Sequence, residues 1–104
     1  MDEIKFFEDG DTLVARLLPE IDHHLAKGMR EAIDEKLFKL SPAVLVLDFS
    51  EVKFMDSSGL GLIIGRSEIL RELGGEIRLV GLSNMLRRIV KLSGIEKIKN
   101  ITIT

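Results

Sequence analysis

Residues 43–49, AVLVLDF, form a near-continuous apolar run rich in branched side chains, and patterns of a different period lie on either side of it. Upstream, Leu25, Met29, Ala32, Ile33, Lys36 and Leu37 recur at three- and four-residue steps, which predicts an amphipathic helix over 23–39. Downstream, Leu60, Ile63, Ile64, Ser67 and Leu70, with Leu73 further on, return to the helical period. A strand set between two helices finds parallel neighbours through right-handed crossovers, and a run this apolar predicts a central strand buried on both faces. The fold class is therefore α/β.

The other segments extend this alternation. EIKFFE at 3–8 and TLVARLL at 12–18 flank Asp9-Gly10-Asp11, the spacing of a hairpin. Asp22 is a good N-cap for the first helix, and Ser41-Pro42 ends it. Gly74-Gly75 closes the second helix as a C-cap would. EIRLV at 76–80 reads as a strand, Ser83 or Asn84 can cap a short helix through about Leu92, and a last short strand fits within 96–103. The order β-β-α-β-α-β-α-β predicts one domain over residues 1–104, with a mixed sheet of four or five strands and helices mainly on one face. A chain of 104 residues has room for one hydrophobic core, and no repeat or linker divides it.

Composition then excludes several classes. The hydrophobic fraction is 45% and the charged fraction 31%, which supports a packed core and argues against disorder. No apolar run approaches the roughly 18–20 residues of a membrane span, so no membrane partner is expected. The acidic start MDEIKFFEDGD lacks the basic region of a secretory signal. The absence of cysteine removes disulfide and thiolate chemistry, and a cytosolic location is the expectation. The net charge of −2 is unevenly spread: residues 1–59 carry 13 acids and 7 bases, whereas residues 76–104 carry 6 bases and 2 acids. None of the five phenylalanines interleaves with the basic set Arg78, Arg87, Arg88, Lys91, Lys97 and Lys99. No nucleic-acid partner is expected, and that basic set reads as a solvated face.

The chemistry concentrates at FMDSSGLG, residues 54–61, on a strand-to-helix junction. As a nucleophile elbow the segment fails, because Met55 replaces the first glycine and both histidines, His23 and His24, precede the serines. As a dinucleotide fingerprint, Gly59-x-Gly61-x-x-x-Gly65 is one residue too long, and the next strand offers no acid for a ribose. Those glycines are read instead as packing positions, with Gly61 and Gly65 one turn apart and open to a neighbouring element. His23 and His24 are adjacent, so they do not share one metal as an i,i+4 pair does. A cap needs one of Asp56, Ser57 and Ser58, not all three. A phosphoacceptor serine also fits, since a helix N-terminus tolerates a phosphate and the group adds roughly −1.5 to −2 charges. Either serine satisfies that geometry.

The stretch from VLVLDFSEVKFMDSSGLG through LGGEIRLVGL to KLSGIEKI resembles the STAS domain of bacterial anti-sigma factor antagonists. Leu47-Asp48-Phe49, Phe54 to Gly61, Gly74-Gly75 and Ser93-Gly94 carry the likeness, and Ile21-Asp22-His23-His24 is similar to the sporulation branch. The resemblance implies a switch with no catalysis and no cofactor of its own. Its unphosphorylated form binds an anti-sigma factor that is also a serine kinase. That kinase phosphorylates the first serine, here Ser57, and a metal-dependent phosphatase of the PP2C type resets it. It further implies a partner surface made of Asp22, His23, Asp56, Ser57, Ser58, Gly59, Gly61 and Arg66. Without the family, Arg66 and Arg71 read as solvated. The alternative is a nucleotide- or small-ligand-binding sensor, which titration calorimetry with ATP and GTP separates. Two departures stand out: Pro19 occupies a position where many relatives have glycine, and the 104 residues stop at Thr104, without the family's final helix to cover a sheet edge.

Overall fold

The computed structural model describes residues 3–104. Strands β1 (Lys5–Asp9) and β2 (Thr12–Arg16) form the expected hairpin, with Asp9 opposite Thr12 across the turn. Then come β3 (Glu20–Ile21), α1 (His23–Leu40), β4 (Val44–Asp48), β5 (Phe54–Met55), α2 (Ser57–Glu72), β6 (Glu76–Val80), α3 (Asn84–Ser93), a single 3-10 turn (Ile95–Lys97) and β7 (Ile101–Ile103). The main sheet has the order β1-β2-β4-β6-β7, antiparallel at the hairpin and parallel elsewhere. Each crossover moves one strand over in the same direction, so a constant right hand keeps the helices on one side.

Register explains the core. Leu13, Leu45, Ile77 and Ile101 stand side by side, as do Ala15, Leu47, Leu79 and Ile103, and all but Ile103 are buried. The alternate row is Val14, Val46, Arg78 and Thr102, which is half-buried or exposed. The expectation that the central strand is buried on both faces is therefore corrected. Among the described residues no layer covers the second face of β4, where Val44, Val46 and Asp48 are half-buried, and a long apolar run here marks β-propensity together with burial on one side.

Helix ends follow local chemistry. Asp22, Asp56 and Ser83 each accept a backbone N–H at the start of α1, α2 and α3. At the close of α2, Gly74 takes φ +77°, and the Gly75 N–H donates to the Leu70 carbonyl at 2.6 Å. A Cβ on Gly75 would lie 2.7 Å from the Ala43 carbonyl oxygen, so glycine also lets the chain turn tightly into β6.

The buried stripe of α2 differs from the predicted one. Gly59, Leu62, Ile63, Arg66, Ser67 and Leu70 face inward, whereas Leu60 is half-buried and Ile64 exposed. The two stripes share Ile63, Ser67 and Leu70, and the pattern missed Gly59, Leu62 and Arg66 because a glycine and an arginine interrupt the apolar period on the buried face. Arg66 is thus not solvated: it is 5% exposed, while Arg71 is exposed as expected. Arg66 Nε lies 2.8 Å from Asp34 Oδ1 as an ion pair outside hydrogen-bond alignment. Its Nη2 donates to Asp34 Oδ2 and its Nη1 to the Leu62 carbonyl, both at 3.3 Å. Burial pulls the Arg66 pKa down, and the Asp34 carboxylate opposes that pull.

Candidate functional site

Two short strands absent from the sequence reading build the site. β3 pairs parallel with β5, placing Ile21 opposite Met55. Both side chains are buried, which anchors the next residue of each strand. Those residues are Asp22 and Asp56, the N-caps of α1 and α2. Asp22 Oδ1 accepts the Leu25 N–H at 2.7 Å, Asp56 Oδ1 accepts the Ser58 N–H at 2.8 Å, and the Asp56 N–H donates to the Ile21 carbonyl at 3.0 Å. The local order strand–Asp–helix therefore occurs twice, and two positive helix ends emerge side by side. Pro19 belongs to this arrangement: its carbonyl accepts the Lys53 and Phe54 N–H groups at 2.8 and 3.2 Å.

Ser57 opens α2 and is exposed, whereas Ser58 is half-buried, with its N–H committed to Asp56. The Asp56 pKa is held below the usual carboxylate range, first by the Ser58 backbone N–H, with the His23 N–H and ring adding to the effect. Asp56 therefore stays ionised beside Ser57 at neutral pH and orients the turn without a proton to give.

The glycines take different parts. Gly59 is buried, and a Cβ there would collide with Met55 Cγ and Sδ, so glycine lets α2 lie against β5. The expectation of close packing at Gly61 and Gly65 is corrected, since a Cβ at either meets nothing within 4 Å. Gly61 instead borders an open groove of about 550 Å³ between α1 and α2, lined also by Ser58, His23, Lys27 and Arg30, with Arg66 at its inner end. Replacing Gly61 with alanine is expected to stabilise the domain by about 0.5–1 kcal/mol, the helix-propensity gain with no steric cost. Urea denaturation checks it, and a loss of stability would show that the position is packed.

Asp22, His23, Asp56, Ser57, Ser58, Gly59 and Gly61 thus gather at one end of the molecule, and Arg66 joins them from below the surface. Lys27 and Arg30 were missed. Their spacing from His23, i+4 and i+7, put them on one helical face and was the available signal. Among the described residues no three His, Asp or Glu side chains cluster as metal ligands, and no helix is long and apolar enough to cross a membrane.

Residues 3–104 match the STAS domain family. The chain belongs to that family. This STAS domain is 36% identical over 89 residues to the anti-sigma F factor antagonist of Paenibacillus polymyxa, covering 86% of this chain and 76% of that protein. It is 35% identical over 96 residues to the anti-sigma-B factor antagonist of Listeria monocytogenes, covering 89% and 83%. Among solved structures, it superposes on the anti-sigma factor antagonist SpoIIAA in its unphosphorylated form with TM-score 0.82, 28% identity and coverage of 98% and 88%. On the Bacillus SpoIIAA in its phosphorylated form the TM-score is 0.75, at 28% identity and coverage of 98% and 91%.

Proposed function

We propose that this STAS domain is an anti-sigma factor antagonist of the cytosol, whose hold on its partner is set by the charge on Ser57. Unphosphorylated, it binds an anti-sigma factor and frees the sigma factor. The partner acts as the serine kinase, and a metal-dependent phosphatase reverses the modification. The domain contributes surface and no catalysis.

The observation that carries this reading is the exposure of Ser57 at a turn whose other groups are already committed. Its neighbour Asp56 is bonded to the Ser58 N–H, and Met55 and Gly59 are buried beneath. A kinase reaches the Ser57 hydroxyl without unfolding the helix start, whereas Ser58 is half-buried and lines the groove. The likeness to SpoIIAA, known in phosphorylated and unphosphorylated forms, supports the same regulation here.

Incubation with ATP and the anti-sigma F factor of Paenibacillus polymyxa, followed by peptide mass spectrometry, tests the assignment. Phosphate is expected on Ser57, and the Ser57→Ala variant is expected to bind yet stay unmodified. Phosphate on Ser58 in the wild type would overturn the choice of residue.

A further inference from the structure

The groove between α1 and α2 carries an excess of one sign of charge. His23, Lys27 and Arg30 follow one another at i, i+4 and i+7 along α1, His24 and Arg66 complete the nitrogen bases around the groove, and among the described residues no carboxylate lines it. This runs against the local trend, because residues 1–59 are net acidic. Among the described residues, Lys27 and Arg30 form no ion pair, whereas the Asp34 carboxylate is taken up by Arg66. Arg30 and Arg66 also oppose each other: after burial lowers the Arg66 pKa and Asp34 raises it, the charge of Arg30 lowers it again. Two like charges meeting across a groove are relieved by an anion between them.

Resting on the reading that this chain antagonises an anti-sigma factor, we propose that the groove receives an acidic segment of that partner, with its carboxylates on Lys27 and Arg30. The stripe from His23 to Arg30 spans seven residues, about 10 Å of helix. That matches carboxylates at i, i+4 and i+7 on a facing helix. Ala26 and Leu62 line the same groove and supply its apolar contact. A nucleotide finds less here, since among the described residues no phenylalanine lines the groove to stack a base and no acid awaits a ribose. The site also gives the Ser57 switch its sign. Ser58 lines the groove and Ser57 precedes it, so phosphate at Ser57 adds negative charge where an acidic segment must enter.

The test measures binding of the Paenibacillus polymyxa anti-sigma F factor to the full chain at 50 and 300 mM salt. Wild type is expected to lose affinity as salt rises. The doubly substituted Lys27→Glu, Arg30→Glu chain is expected to bind at least thirtyfold more weakly at low salt, with little salt dependence left. Both side chains are exposed, and an unchanged thermal midpoint of the variant excludes misfolding as the cause. If the variant binds as tightly as wild type with the same salt response, the groove assignment fails while the antagonist reading stands. If wild type does not bind at either salt, both fail. ATP or GTP binding to the chain alone, lost in the same variant, would assign the groove to a nucleotide and overturn the acidic segment.

Discussion

Replacing Asp34 with alanine is expected to lower the stability of the domain by about 2–3 kcal/mol. Removing one partner of a buried ion pair typically costs about 3–5 kcal/mol, because the other charge is left without compensation. Here the Arg66 side chain is 6% exposed and that of Asp34 is 24% exposed, so some water would reach the vacated site and reduce the loss. The thermal midpoint should fall by roughly 10–20 °C, given about 4–8 °C per kcal/mol for a domain near this size. The double variant Asp34→Leu, Arg66→Met should recover to within about 1 kcal/mol of wild type, since an apolar pair of similar volume needs no desolvation. Urea denaturation of the three chains measures both effects. A loss below about 1 kcal/mol for Asp34→Ala would place the pair with ordinary surface bridges.

Placing a negative charge at Ser57 should separate binding from stability. The Ser57→Asp variant is expected to bind the Paenibacillus polymyxa anti-sigma F factor at least tenfold more weakly, about 1.4 kcal/mol. The cause is local: the new carboxylate stands next to Asp56, which is already ionised, and beside the cationic groove. The same substitution puts an anion in the first turn of α2, where the helix dipole favours it by about 0.3–1 kcal/mol. Affinity should therefore fall while the thermal midpoint holds or rises. Calorimetric titration and thermal unfolding on one preparation suffice. Unchanged affinity would refute control by the charge of Ser57, and a lowered midpoint would show that Ser57 is packed.

Much of the site was legible because capping and patterning are local. Asp22 and Asp56 are short polar residues at the break between strand and helix periods, and both became caps. The helices, the hairpin and the order of the main strands follow from the same rules. Other features required contacts distant in sequence. Arg66 read as solvated because arginine on a helix usually is, and its burial depends on Asp34 thirty-two positions earlier. Gly61 and Gly65 read as packed because small residues one turn apart often are, but a Cβ at either meets nothing within 4 Å.

The sequence by itself determined the α/β alternation, the helix starts and the strand-to-helix turn that exposes Ser57. Each depends on residues within a few positions of one another, where backbone hydrogen bonding and side-chain period decide the outcome. The tertiary structure alone decided that Ile21 pairs with Met55, that two helix N-termini meet, and that Lys27 and Arg30 face an open groove beside the serines. Those outcomes depend on register and packing between segments far apart in sequence, such as Ile21 and Met55. Local periodicity carries no information about which faces come together.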